Sequence, residues 1–487
     1  MRHVAIDIGA SGGTVHLGTV TESAFDVREV HRFENRPVER DGRYVWDLDA
    51  LRERMVRGIE AADEAAAGPL DTVGIDTWGL DFGLLADGEV LRNPVSYRDP
   101  ESAARREELF EAVGKRRLFE ASGVTNWNTP NTLWQLYTLA REEPELLERA
   151  DRLLMTPQLL STLLGGRAAG EVTVASSSQM VDPGRRAWAT DLLEDLSLPV
   201  DLLPTLEEPG ARLGTLDDDA AAGLAGTPEL LTPASHDTAS AVAGLPLTDD
   251  AAFLSTGSWF ILGCERDDPV RTDAAYENGL SNELGADGTV RLLKNVDGFF
   301  LLEECRQAWR EAGEDADYES LLAAAAEADP RAALVVPDAG DFRIDEPMPA
   351  QVRAFCRETD QPVPEGRGEV VRCLLDGLVT KTALVLDELD AVTAEPLRRI
   401  HLGGGGVRNE LFCRLLADAT GRPVTAGPVE ATAVGNVLTQ AVASGTLPSV
   451  DAGRRLVEAE FETRTYEPAN PEEWEREKER LAELEAA

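Results

Sequence analysis

Asp7 closes a short apolar run, Val4–Ile8, and runs into Gly9-Ala10-Ser11-Gly12-Gly13-Thr14. Glycines let backbone N–H groups converge on phosphate oxygens, and Ser or Thr hydroxyls add donors. A carboxylate at such a strand end could hold Mg²⁺ beside those phosphates, directly or through water. Asp7 is therefore the candidate metal ligand, and Ala10, Ser11, Gly12, Gly13 and Thr14 form a candidate phosphate turn; a plain hairpin turn is the competing reading. Neither G-x-x-x-x-G-K-[ST] nor G-x-G-x-x-G occurs here, which excludes a Walker loop and a dinucleotide fingerprint. Thr256-Gly257-Ser258 is a second turn of the same chemistry. Gly403-Gly404-Gly405-Gly406, followed by Asn409, suits close approach of a flat ligand to a helix N-terminus, or else a flexible loop.

Two further stretches carry acids. Asp237, in Ser235-His236-Asp237-Thr238-Ala239-Ser240, opens a small-residue helix. It could cap that helix, or it could accept a hydroxyl proton while the oxygen attacks phosphorus. His236 could hydrogen-bond a substrate hydroxyl or be a satisfied structural histidine. Gly74-Ile75-Asp76-Thr77-Trp78-Gly79-Leu80-Asp81-Phe82 sets an aromatic and two carboxylates after an apolar strand. Apolar C–H faces of sugars stack on rings and carboxylates take hydroxyls, so Trp78 and Asp81 are candidate sugar contacts. A buried Trp among solvated acids is the alternative.

The elements that must position these residues alternate in kind. β-rich apolar runs at Val4–Ile8, Val15–Val20, Val73–Ile75, Phe253–Ser255, Phe260–Leu262, Leu334–Val336 and Arg399–Leu402 read as strands. Helical spacing marks Leu48–Ala66, Glu101–Val113, Leu133–Arg141, Gly298–Ala312, Glu369–Leu389 and Leu411–Thr420. Strands alternating with helices predict α/β layers. The layout strand, Gly/Ser/Thr turn, strand occurs at the start of the chain and again near Ala251, about half the chain later, which predicts two similar domains facing a common cleft. The tail Pro468–Ala487 reads as an acidic helix with a solvated face.

Composition narrows the partners. The 487 residues carry 47 Lys plus Arg against 89 Asp plus Glu, a formal net charge of −42. Only Lys115, Lys294, Lys381 and Lys478 are lysines. Such a surface repels phosphate backbones and anionic lipids, which argues against nucleic acid and membrane partners. Self-repulsion of this size calls for screening ions, so the expected setting is the cytoplasm of a high-salt organism. No unbroken apolar run reaches about 18 residues. Five cysteines without a CxxC and five scattered histidines offer no zinc pattern.

With these residues in view, the chain resembles the FGGY carbohydrate kinase family, within the sugar kinase, Hsc70 and actin superfamily, over nearly its whole length. The matching stretches are the Asp7–Ser11 turn, Ile75–Gly79 with Asp81-Phe82, Tyr97-Arg98-Asp99, Gly114-Lys115-Arg116, Asn131-Thr132-Leu133, Ala234–Val242, Leu293-Lys294-Asn295, Gly403–Gly405, and Ala426–Ala431 with Gly435-Asn436. The stretches Ser235–Val242 and Ile75–Phe82 match the L-rhamnulose-phosphorylating branch best. The resemblance implies an α/β fold of two RNase H-like (actin-like ATPase) domains with a cleft between them. The first, 1–244, would bind sugar and the second, 245–487, nucleotide. It implies ATP with Mg²⁺, transfer to the 1-hydroxyl of L-rhamnulose, and a monomer or homodimer with a small-molecule sugar as partner. Asp237 matches the catalytic base, Asp7 the metal-associated aspartate, and Gly79, His236, Asp237 and Thr238 the substrate contacts. Ser258, Asn295, Glu303 and Gly403 fall at nucleotide contacts. Cys356 and Cys373 match a pair the family can join as a disulfide. Three positions depart: Thr14 stands where the family's turn ends in Arg, Glu303 replaces a glutamine, and Ser258 replaces a threonine. A different ketose or polyol, such as xylulose or fuculose, and a catalytically weak sugar or nucleotide sensor are the alternatives.

Overall fold

Val4, Ile6 and Ile8 face one side of the first strand, Arg2–Ile8, and Ala5 the other, and all four are buried. Both faces are buried because a helix covers each. Leu51, Met55 and Ile59 of Leu48–Ala65 pack with Val4, Ile6 and Ile8. Ala433, Val434 and Val437 of Ala431–Ala443 pack with Ala5. The computed structural model describes residues 1–257, 259–339, 342–343 and 346–486; Ser258 lies outside the described residues.

The sheet around this strand has six members, ordered Arg212–Thr215, Glu229–Leu231, Thr72–Thr77, Arg2–Ile8, Gly12–Thr21, Ala24–Glu34. Arg2–Ile8 runs antiparallel to Gly12–Thr21 and parallel to Thr72–Thr77. A second sheet repeats this wiring: Ala251–Thr256 is antiparallel to Trp259–Arg266 and parallel to Arg399–Gly404, with Val424–Ala426 and Arg464–Tyr466 beyond. The repeated strand–turn–strand of the sequence is thus a repeated topology, in a mixed α/β fold.

The chain divides into two compact units. The first takes Met1–Pro246, Glu265–Leu292 and Ala431–Phe461; the second takes Leu247–Cys264, Leu293–Glu430 and Glu462–Ala487. This partition differs from a single cut after residue 244, because Ala431–Ala443 returns to pack on the first sheet. The return is close. A Cβ on Gly435 would overlap the carbonyl oxygen of Ser240, and one on Gly244 would overlap that of Ala431.

Two expectations need correction. Leu334–Val336 is buried but is not a strand. Gln361 replaces the neighbouring strand, its Oε1 accepting from Leu334 N and its Nε2 donating to Leu334 O, both at 2.9 Å. The tail is not merely a solvated face: its helix, Glu475–Ala486, buries Leu481 beside Leu334 and Val336, and Trp474 just before it is 1% exposed. Elsewhere helix bounds shift by a few residues, except that Glu101–Arg105 is turn and the helix there is Arg106–Val113.

Candidate active site

Asp237 is the first residue of the helix Asp237–Ala243, and His236 occupies the cap position. The capping role left open by the sequence is therefore not the one adopted. Among the described residues the Asp237 carboxylate accepts from Thr238, from its N at 2.5 Å and its Oγ1 at 3.1 Å. Its side chain is 34% exposed, so an oxygen remains presented. Burial pushes its pKa up to about 6, against the pull of the Thr238 hydrogen bonds and of Arg291. That is the range suited to a general base near neutrality.

His236 is buried, and burial first and Arg291 second hold its ring well below the usual histidine range, so it is neutral. Its Nδ1 has no hydrogen-bond partner and lies 3.6 Å from Asp237 Oδ1. The backbone of this loop is tied down by Thr77 N to Ser235 O (3.0 Å) and by His236 N to Thr173 Oγ1 (3.2 Å). Glu171 gathers the rest, accepting from Thr173 N (2.8 Å), Thr173 Oγ1 (2.7 Å), Val174 N (3.1 Å) and Ser235 N (3.3 Å). Burial raises its pKa to about 7. Sequence reasoning missed Glu171, because nothing around it signals a ligand; it lies 64 residues before its partner Ser235.

Gly79 is brought to His236. A Cβ there would stand 2.5 Å from Ser177 Oγ and 3.0 Å from His236 Nε2, so only glycine lets this backbone approach. The next residue, Leu80, is held at φ 80°, a strained region for a branched side chain, by Thr132 Oγ1 donating to its carbonyl at 2.6 Å. Trp78 and Asp81 do not sit as expected for sugar contacts. Trp78 packs on Trp46, ring centroids 4.3 Å apart, and is 7% exposed. Asp81 is fully buried and receives both indole N–H groups, Trp46 at 2.7 Å and Trp78 at 3.0 Å, plus Gln135 at 3.2 Å. Indole donors cannot be buried without an acceptor, so this pair shapes the loop from beneath.

The phosphate-turn candidates form one tight hairpin: Gly9 N donates to Gly12 O at 2.8 Å. Asn35, unforeseen, clamps it from just beyond the strand Ala24–Glu34, with Nδ2 to Gly9 O at 2.9 Å and N to Ser11 O at 3.3 Å. A Cβ on Gly13 would displace the Phe33 ring. Ala10, Ser11, Gly12 and Thr14 complete the turn, with no cation among them. The register sets Asp76, Asp7, Thr14 and Arg32 in a row across four strands. Arg32, opposite Thr14, pairs with Glu29 at 3.0 Å.

Asp76 is fully buried, takes Asn436 Nδ2 at 2.5 Å on one oxygen and meets the carboxyl of Asp7. Burial and the neighbouring Asp7 hold its carboxyl well above the usual carboxylate range. Adjacent carboxylates suit a hard divalent cation. Among the described residues no group of three or more His, Cys, Asp or Glu is placed to hold a metal.

In the second unit, Thr256 Oγ1 donates to Gly403 O at 2.6 Å and accepts from Gly406 N at 2.9 Å. Its hydroxyl stitches the turn to the glycine loop and is not a loose phosphate donor. Gly404, at φ 85°, has no room for a Cβ beside the Thr256 carbonyl, whereas Gly405 faces open space. Gly257 N closes the turn on Trp259 O at 3.0 Å. Phe260, Phe299 and Phe412 pack edge-to-face behind it, at 4.9, 5.3 and 5.1 Å. Asn409 caps the helix Glu410–Thr420, accepting from Phe412 N at 2.9 Å and donating to Tyr318 OH at 3.1 Å, so its amide is committed to structure. Asn295 keeps a buried, unpartnered Oδ1. Glu303 pairs with Arg306 on its own helix. Lys294 is tied to Glu388 at 2.6 Å. Cys356 and Cys373 are buried thiols with sulfurs 3.8 Å apart.

Known proteins resemble the chain on three levels. The model of the N-terminal domain of the FGGY family of carbohydrate kinases matches residues 3–244, and that of its C-terminal domain residues 252–444. A rhamnulokinase of Bacteroides thetaiotaomicron is 37% identical over 474 residues, covering 96% of each chain. One of Bacillus subtilis is 34% identical over 476 residues, again 96% of each. Among solved structures, a ligand-bound xylulose kinase from Lactobacillus acidophilus superposes with TM-score 0.81 at 15% identity, covering 100% of this chain and 97% of that one. A Plasmodium falciparum glycerol kinase with ADP gives 0.74 at 15% identity, covering 99% and 97%. The structural matches share the fold.

Proposed function

The chain belongs to the FGGY family of carbohydrate kinases, and we propose that it transfers the γ-phosphoryl group of ATP to the 1-hydroxyl of L-rhamnulose, giving L-rhamnulose 1-phosphate and ADP. The observation that carries this reading is Asp237: a carboxylate that stays one-third exposed at the start of its helix and lies beside a neutral His236, which the Gly79 backbone approaches, in a chain over a third identical to a rhamnulokinase. Asp237 takes the proton of the sugar hydroxyl as that oxygen attacks phosphorus. Neutral His236 and Thr238 orient sugar hydroxyls, and Gly79 admits the sugar by lacking a side chain.

Residues 1–244 provide the sugar functions and residues 245–487 most of the nucleotide functions. The turn Ala10–Thr14, the turn at Gly257, the open face of Gly405 and the amide of Asn295 are the groups we assign to ATP. Thr256 and Asn409 support them from behind; Glu303, Gly403 and Gly404 shape the same region. Asp7 would hold Mg²⁺, which when bound offsets the charge of the phosphates. We assign the enzyme, as monomer or homodimer, to the cytoplasm of a high-salt organism on the strength of its charge.

The test is ATP-dependent phosphorylation of a ketose panel in molar KCl, beside Asp237→Asn. L-Rhamnulose should be the preferred acceptor, and Asp237→Asn should lower kcat by about 10²- to 10⁴-fold. An active Asp237→Asn enzyme would remove Asp237 as base. Preference for another ketose, such as xylulose or fuculose, would reassign the substrate.

A further inference from the structure

Arg291, on the strand Val290–Asp297, is a fully buried arginine. Its Nε donates to Leu284 O at 3.2 Å and its Nη2 to Glu283 Oε2 at 3.0 Å, while Nη1 is buried without a partner. The strand bearing Glu283, Ser281–Leu284, docks on the short helix Val172–Ser176 by Leu284 N to Ser176 Oγ at 2.8 Å and through Val172, Ala175, Leu284 and Val290. That helix carries Thr173, which receives His236 N. Arg291 therefore backs the His236–Asp237 loop through one layer of packing. A buried ion pair is weak evidence for stability, since desolvating two charges costs about what their attraction returns, and an unmade guanidinium N–H adds to the cost.

We propose that Arg291 is a positioning residue for phosphoryl transfer, its buried guanidinium supplying the counter-charge behind the His236–Asp237 pair that receives the sugar hydroxyl's proton. The inference rests on the kinase reading above. In the step, the O–H bond of the sugar breaks toward Asp237, the sugar oxygen bonds to the γ-phosphorus, and the bond from that phosphorus to the β-bridging oxygen breaks, leaving ADP. Arg291 pairs with Glu283 and also feels the charges of Asp237, Glu265 and Glu171. Glu265 is paired with Arg454 at 2.7 Å, and Glu171 is engaged by Thr173, Val174 and Ser235. The charge of Arg291 lowers the pKa of both Asp237 and His236, and Glu283 raises that of Asp237. Arg291 thus favours an ionised base beside an uncharged imidazole.

The experiment compares the full-length wild type with Arg291→Met, Arg291→Lys and Glu283→Gln. Its readouts are the pH profile of kcat/KM and the titration of the ¹⁵N-labelled His236 ring in the free protein, assigned with His236→Asn. Loss of the cation in Arg291→Met should move the acid limb up by about one pH unit, with most activity recovered at high pH, and His236 should gain a proton at higher pH than in the wild type. Arg291→Lys should restore both. Glu283→Gln should move the limb the other way, and decides the matter if Arg291→Met does not fold. A loss equal at every pH, with the His236 titration unmoved, would make Arg291 merely structural and overturn the proposal. If the wild type phosphorylates no ketose, the kinase reading fails, while the His236 titration still judges Arg291.

Discussion

At the scale of single residues, the chemistry turns on which polar atoms remain uncommitted. Asp237 has an exposed edge, Asp81 has none, and the difference lies in the two indoles that reach Asp81. With the pKa of Asp237 near 6, the proposed base is ionised above that pH and protonated below it. A profile of kcat/KM against pH should therefore fall through an acid limb near 6, and a limb near 4 would mean an unperturbed carboxylate. Thr14 leaves the first turn without a cation, its cross-strand neighbour Arg32 being paired with Glu29. Thr14→Arg should lower KM for ATP by about tenfold, the worth of one added charge-assisted hydrogen bond. An unchanged KM would show that Arg32 already serves the turn. Asp7 and Asp237 were legible because each adjoins a local backbone signal. Glu171 and Arg291 were not, because their importance comes from partners in other strands and helices.

At the scale of elements, the glycine-flanked hairpins and most helices were readable from period and punctuation. The exceptions are instructive. Leu334–Val336 has strand composition but pairs with the Gln361 side chain, so β-propensity described a buried extended segment rather than a strand. The helix Ala431–Ala443 falls within 245–487, the half assigned to the second domain, yet it lies against the first sheet, where Asn436 reaches Asp76. Its contact with Asp237–Ala243 leaves no space for a methyl group at Gly435. Gly435→Ala should destabilise the protein by roughly 1–3 kcal/mol, as overpacking does, read as a lowered urea midpoint. A neutral result would show that the two helices can separate without cost. Because the base-bearing helix is one of the pair, kcat should fall with stability.

At the scale of the molecule, 89 acidic against 47 basic residues set the response to solvent. Glu171 and Asp81 are buried with pKa values raised to about 7 and 6. Their folded values exceed the unfolded ones, so the stability they contribute is complete below about pH 4 and is lost as pH rises through 6 to 7. Self-repulsion acts in the same direction. The unfolding temperature should thus be higher at pH 5.5 than at pH 8, and at pH 8 it should climb with KCl toward molar concentrations as charges are screened. Full stability at low salt would remove the high-salt setting. No helix among the described residues is long and apolar enough to cross a membrane.

The sequence by itself determined the net charge, the two glycine turns, the family and the identity of the acid at position 237. These rest on local requirements: a tight turn needs glycine within a few residues, and charge is a sum over composition. Only the tertiary structure decided that His236 rather than Asp237 holds the helix cap position, that Trp78 and Asp81 lie beneath the Gly79 loop, and that Thr256 and Asn409 are braces. It also decided that Glu171, Arg291 and Asn436 stand behind the acids. The reason is that a buried polar group is defined by the partner that satisfies it, and such partners can be far apart along the chain: Asn436 meets Asp76 across 360 residues.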